Sequence, residues 1–120
     1  MIDMKKILFS FLFLIPLLGY SQTDMCDGFG EICVIQFNAG FNEANKVQWL
    51  PELSDCTTSF VDILTDPSIP QTYKIVVVPT ILIIDEGEEV GRFQANIMMQ
   101  MESTKEDVQN SIEEIIMSKF

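Results

Sequence analysis

The sequence predicts a single small α/β domain, in which a mixed sheet carries helices. Three observations indicate this fold class. The run Ile81–Ile84 is continuously apolar and rich in β-branched residues, as in a strand covered on both faces, and Ile32–Phe37 reads as a first buried strand. An acidic segment centred on Gly87 then predicts a hairpin turn into another strand. Near the C-terminus, apolar residues at helical spacing predict a closing helix.

The first half of the domain is expected to alternate strand and helix. After the strand Ile32–Phe37 we expect a helix capped by Asn42 and kinked or ended by Pro51, which has no backbone N–H to donate. Its apolar side comprises Ala44, Val47, Trp49, Leu50 and Leu53. Ser59–Leu64 predicts the second strand, and a short helical or irregular segment follows through Gln71.

The second half is expected to contain the hairpin and the closing helix. Pro79 stands at the first position of the third strand, where a missing N–H is tolerated. After a loop over 96–101, Thr104 predicts a helix start, with acidic residues in the first turn. The core-facing stripe of that helix is Val108, Ile112, Ile115 and Ile116. The predicted order is β-α-β-(α)-β-β-α.

The stretch around Pro79 resembles the second half of a thioredoxin. It reads Tyr-x-Ile-x-x-x-Pro-Thr from Tyr73 to Thr80, followed by four apolar residues, a Gly turn and Val-Gly-x-Phe. The resemblance covers roughly Ile32–Ile116 and implies a thioredoxin-like three-layer fold around a central mixed sheet, without the extra N-terminal strand and helix. It also implies a cis Val78–Pro79 bond beside a groove that pairs with extended peptides.

The same resemblance implies that the usual redox motif is lost. Thioredoxins carry Phe-x-Ala-x-Trp-Cys-x-x-Cys-Lys, and here Asn42 and Asn45 match the two cysteines. Pro51 follows Asn45 by six positions where the family has five, so this alignment can slip by one residue. No cysteine lies between Gly40 and Pro51 in either case. Gln36 replaces the buried Asp of the family, and an amide cannot act as a base.

Three cysteines remain, at positions 26, 33 and 56. In an oxidising compartment one disulfide is expected, and three pairings are open. We expect Cys26 to pair with Cys56, and Cys33 to be a buried free thiol.

The N-terminus predicts export. Lys5 and Lys6 precede an apolar run over Ile7–Leu18, and small residues follow up to Ser21. We interpret residues 1–21 as a cleaved signal peptide and 22–120 as the domain, located in the periplasm or outside the cell. The run is shorter than the ~20 residues of a membrane span, so no permanent span is expected. An uncleaved signal anchor is the alternative.

Charge and composition exclude several classes of function. The net charge of −11 becomes −12 when Asp3, Lys5 and Lys6 are removed with the signal, so nucleic acid is not an expected partner. The chain has no histidine, which excludes Ser-His-Asp and Cys-His catalysis. We interpret the methionines at 98, 99 and 101 as residues that fill the core and cover a loop. We interpret the acidic residues at 85–89 as the solvated tip of a hairpin. No metal or other cofactor is therefore expected.

The sequence thus favours an exported, redox-inactive module that binds an extended peptide or a protein. We expect its groove to be lined by Phe41, Trp49, Val77, Val78 and Pro79. The alternative is a thiol-disulfide oxidoreductase that uses the displaced cysteines. A purely structural domain of a cell-envelope assembly is a third, weaker interpretation.

Overall fold

The computed structural model describes residues 32–120. The predicted signal peptide and Cys26 lie outside this range. The strands are β1 (Ile32–Asn38), β2 (Thr57–Asp62), β3 (Thr80–Asp85) and β4 (Glu88–Gln94). The α-helices of this part of the chain are α1 (Ser68–Thr72) and α2 (Lys105–Met117), and 3-10 turns span Gly40–Asn45 and Leu50–Glu52.

The four strands form one mixed sheet in the order β2-β1-β3-β4. β1 and β2 are parallel, whereas β3 is antiparallel to both β1 and β4. β2 begins two residues earlier than predicted, because its Thr57 pairs with Cys33 of β1. It ends at Asp62, whose side-chain Oδ1 accepts a hydrogen bond from the N–H of Leu64 and turns the chain.

The sheet separates two apolar clusters, which gives the fold its three layers. On one face, α2 and the 3-10 segments pack on β1 and β3, and the buried members include Val34, Ile83, Val47, Leu50 and Ile112. On the other face, Ile35, Phe37 and Leu82 are covered by residues of and around α1, including Ile69, Tyr73 and Ile75. Consecutive residues of β1 therefore point into opposite layers, which explains why every residue of the strand is buried.

The hairpin and the last helix form as the sequence predicts. Glu86 and Gly87, the two residues between β3 and β4, both have positive φ, as the favoured two-residue hairpin turn requires. Thr104 caps α2: its Oγ1 accepts from the Asp107 N–H at 3.2 Å, and the Thr104 N–H donates to Asp107 Oδ2 at 2.8 Å. These reciprocal bonds make a complete capping box.

The predicted helix after β1 is wrong. Two 3-10 turns joined by an irregular segment stand in its place, and Asn42 has φ −116° and ψ 24°, which is not helical. The Gln36 side chain explains part of this difference. Its Oε1 accepts from the Val47 N–H at 2.8 Å and its Nε2 donates to the Val47 carbonyl at 3.1 Å, so both backbone groups of Val47 are used outside any helix. Val47, Leu50 and Leu53 still reach the core.

Candidate functional site

The candidate site lies at the carboxyl end of β1, where three separate segments meet. Asn38 ends the strand, the first 3-10 turn carries Asn42 beside it, and the Val78–Pro79 bond approaches from the segment before β3. That bond is cis, which confirms the expectation from the sequence. The side chains of Asn38 and Pro79 are fully buried, so they shape the floor of the site without facing solvent.

Asn42 connects these segments through its carboxamide. Its Nδ2 donates to Asn38 Oδ1 at 3.1 Å, to the carbonyl of Met99 at 3.2 Å and to that of Val78 at 3.5 Å. Two protons shared among three acceptors leave the longest bond, to Val78, the weakest. Asn42 is only 4% exposed. Asn45 Nδ2 donates to Asn42 Oδ1 at 2.8 Å, so both polar atoms of the Asn42 amide are occupied.

The segment before Pro79 is held by Arg92 of β4. The guanidinium donates to the carbonyls of Tyr73 at 2.6 Å and Lys74 at 3.3 Å, and pairs with the Glu89 carboxylate at 2.8 Å. The hydrogen bond from Arg92 outweighs the effect of burial and, with the smaller effect of the Arg92 charge, holds the pKa of Glu89 below its ordinary value. Thr80 Oγ1 donates to the Val77 carbonyl at 2.6 Å. These bonds fix the segment at both ends.

Between these anchors, the backbone of Val76 has no hydrogen-bond partner among residues 32–120. Its N–H and its carbonyl are both unpaired, as is the N–H of Val77. Val76 is 77% exposed, whereas Val78 is only 5% exposed. The accessible backbone of this segment is thus at Val76, two residues before Val78, the residue that precedes Pro79.

An apolar groove of about 270 Å³ opens beside this backbone. Of the five residues predicted for it, Phe41, Val77 and Val78 line it, and Phe41 is 67% exposed. Pro79 is fully buried and does not line the groove, and Trp49 lies elsewhere, beside Asn45 and Gln100, partly buried against the core. Pro51 and the Gln36–Val47 bonds direct the chain away from the helical path that would have brought Trp49 near Phe41.

Sequence reasoning missed the rest of the lining. The additional residues are Ile63, Ile75, Val76, Asn96, Ile97 and Met99. They come from three loops, and Ile97 is 97% exposed. A signal was present: Ile97-Met98-Met99 is an apolar run in a segment expected to be a loop, where such residues have no core to enter.

The cysteine prediction is wrong for both cysteines that the structure describes. Cys33 is disulfide-bonded, with its partner outside residues 32–120, and Cys56 is a free thiol. Cys33 is the second residue of β1, buried with Ile35 on one face of the sheet, whereas Cys56 packs on the cluster of the other face. A buried position is compatible with a disulfide, which is itself apolar. Burial, and then the Asp55 charge, raise the pKa of Cys56.

No group of three or more Cys, Asp or Glu side chains between residues 32 and 120 is arranged to hold a metal ion. No helix in the same range is long and apolar enough to cross a membrane.

Comparison with known proteins identifies the fold. No protein-family model matches the chain, and no curated protein sequence matches it significantly. Among solved structures, a thioredoxin from Schistosoma mansoni is 20% identical, with a TM-score of 0.58 over 80% of this chain and 87% of that one. A thioredoxin from Fasciola hepatica is 24% identical, with a TM-score of 0.54 over 71% of this chain and 81% of that one. A thioredoxin from Thermosipho africanus is 23% identical, with a TM-score of 0.55 over 72% of this chain and 97% of that one.

Such identities show the fold alone. The chain therefore has a thioredoxin-like fold with a four-stranded mixed sheet, which confirms the predicted fold class.

Proposed function

We propose that this chain is an exported, non-catalytic module that binds an extended peptide in the apolar groove. The observation that supports this most directly is the backbone of Val76, which is unpaired within residues 32–120 and lies beside an open apolar groove. Monomeric proteins seldom leave a contiguous apolar patch in water unless it binds something. Here Phe41, Val76 and Ile97 are all more than half exposed around one cavity.

The proposed mode of binding is the addition of one strand. In an antiparallel ladder, a residue gives both its N–H and its carbonyl to the same neighbouring strand. Val76 has both groups available, so a peptide residue opposite it can form two hydrogen bonds. Neighbouring peptide side chains then alternate between the groove and solvent, which is how strand addition combines backbone affinity with side-chain selectivity.

The absence of redox catalysis is part of the proposal. The sequence places no cysteine between Gly40 and Pro51, and the Asn42 carboxamide, which has no nucleophilic atom, is fully hydrogen-bonded beside the cis proline. Cys56 lies at the opposite end of β2 from the groove residue Ile63, and its raised pKa leaves little thiolate at neutral pH. These observations disfavour the alternative of an oxidoreductase acting through displaced cysteines.

A peptide titration with matched variants tests the binding proposal. The probe is an acetylated, amidated heptapeptide with a central Phe flanked by Val, titrated into the labelled domain and followed by amide NMR shifts. We expect shifts at the groove and an affinity that falls about tenfold in Val76→Ser and Ile97→Ser, because both lose apolar contact area. Met117→Ser, at an equally exposed site on α2, is the control and should bind normally.

Two further readouts make the test decisive. N-methylation of the peptide residue opposite Val76 should abolish binding, because it removes the donor to the Val76 carbonyl. Insulin reduction by the reduced protein should stay at background. Binding that is unaffected by Val76→Ser, Ile97→Ser and N-methylation would disprove the groove, and insulin turnover would instead support the oxidoreductase.

A further inference from the structure

We infer that the preferred ligand is a basic segment carrying one bulky apolar residue, an inference that rests on the proposed peptide binding and specifies its ligand. The groove accepts the apolar residue, and uncompensated carboxylates at its margin select for lysine or arginine on either side.

The size of the groove suits a single anchoring side chain. Ligand pockets that enclose whole small molecules have volumes of roughly 300–1,000 Å³. The groove has about 270 Å³ and is open to solvent on one side, with Phe41, Ile75 and Met99 among its walls. One aromatic or large aliphatic side chain can fill it, so the rest of the peptide must lie across its margin.

Four carboxylates lie in or near the chain segments that carry the lining residues. Glu43 is two residues from Phe41, and Asp62 directly precedes the lining residue Ile63. Asp66 lies one turn beyond Asp62, because its N–H donates to the Asp62 carbonyl at 3.1 Å, and its Oδ1 accepts from Ser68 Oγ. Glu102 is placed by the lining residue Asn96, whose Nδ2 donates to its Oε2 at 2.8 Å. None of the four forms an ion pair within residues 32–120.

Most cations of the described part of the domain already have a partner for their charge. Lys105 pairs with Glu52, Lys119 with Asp85 and Arg92 with Glu89, and the Lys46 ammonium lies 4.3 Å from the centre of the Phe60 ring. Lys74 is the one cation next to a lining residue, Ile75, without an ion-pair partner in the described range. Four carboxylates against one ammonium leave the margin negative.

A negative margin around an apolar anchor site favours a basic ligand in two ways. Complementary charges raise the rate of encounter, and like charges on a wrong ligand are repelled. Because the four carboxylates border solvent, salt must weaken the effect: the screening length falls below ~10 Å above about 0.1 M salt. Charge selectivity that fades with salt is therefore the expected signature.

Three heptapeptides test the inference directly. Each has a central Phe flanked by Val, and the two residues at each end are all Lys, all Gln or all Glu. We expect the Lys peptide to bind about tenfold more tightly than the Gln peptide at low salt, and the Glu peptide to bind most weakly. Raising NaCl from about 50 to about 300 mM should remove most of this difference.

Charge-neutralising variants locate the effect. Glu43→Gln and Asp66→Asn should each weaken the Lys peptide about two- to fivefold and leave the Gln peptide unchanged. Glu113→Gln makes the same charge change at an exposed site on α2 and should alter neither. If all three peptides bind equally, or if Glu113→Gln acts like Glu43→Gln, the inference fails while peptide binding stands. If none binds, the proposed function fails with it.

Discussion

The carboxamide of Asn42 explains how a short irregular turn can stand where the sequence favours a helix. It links the end of β1, the segment before Pro79 and the loop at Met99, which are far apart in the chain. A buried amide can hold three segments in this way because it is both donor and acceptor, and leaving such groups unpaired in the interior is expensive. The Asn42 side chain thus has a structural role in this fold.

Replacing Asn42 by Ala should destabilise the domain by about 1–3 kcal/mol, because the buried Asn38 Oδ1 and Met99 carbonyl lose their donor. Urea unfolding of the purified domain measures the change. Asn45→Ala is the matched control: it removes one partly buried bond and should have an effect of about 1 kcal/mol or less. Equal effects of the two variants would show that the three-way linkage contributes nothing special.

At the scale of elements, the helices and turns depend on different kinds of interaction. α2 is specified locally, since its cap and its buried residues Val108 and Ile112 follow from a short stretch of sequence. The segment after β1 depends instead on Gln36, which binds Val47 eleven residues away. Helix propensity is a weak preference that such tertiary bonds readily override.

Thr104→Ala should lower the free energy of unfolding by about 0.5–2 kcal/mol, because the Asp107 N–H loses its side-chain acceptor at the start of α2. Thermal and urea unfolding give the value. Thr104→Ser keeps the hydroxyl and should restore most of the stability. A Ser variant as unstable as the Ala variant would indicate that the methyl group, rather than the cap, is responsible.

At the scale of the whole molecule, the domain has two chemically distinct ends. The groove lies at the carboxyl ends of β1 and β2, where Asn38 and Ile63 are found. Two cysteines lie at the opposite ends of the same strands, where Cys33 is disulfide-bonded and Cys56 is a free thiol. Six residues of β2 separate Cys56 from Ile63, a distance of roughly 20 Å.

Cys56 should be alkylated more slowly in the folded than in the unfolded state, because its pKa is raised. Its alkylation should leave peptide affinity unchanged, because it lies at the end of β2 opposite the groove. The pKa of Cys56 is higher in the folded state than its ordinary value of 9.0, because the fold favours the neutral thiol. The stability gained from the neutral thiol is complete below pH 9.0 and is lost as the pH rises through the higher folded-state pKa. The stability difference between wild type and Cys56→Ala should shrink above that pH. Alkylation as fast in the folded as in the unfolded state would contradict the raised pKa, and an altered affinity would contradict the separation of the two ends.

How much of this protein the sequence predicts depends on the range of the interactions. The four strands, the Gly87 turn, the Thr104 cap and the cis bond at Pro79 were predictable, because each depends on neighbouring residues or on a familiar motif. Val77 and Val78, which directly precede Pro79, line the groove together with Phe41 of the first 3-10 turn, and whether a peptide binds there stays a prediction.

Only the tertiary structure decided the rest. It replaced the expected helix through the Gln36–Val47 bonds, moved Trp49 away from the groove and brought Ile63 and Ile97 into it. It also made Cys33, and not Cys56, the bonded cysteine of the described chain. These features depend on contacts between residues distant in sequence, whose geometry local patterns of polarity and propensity do not encode.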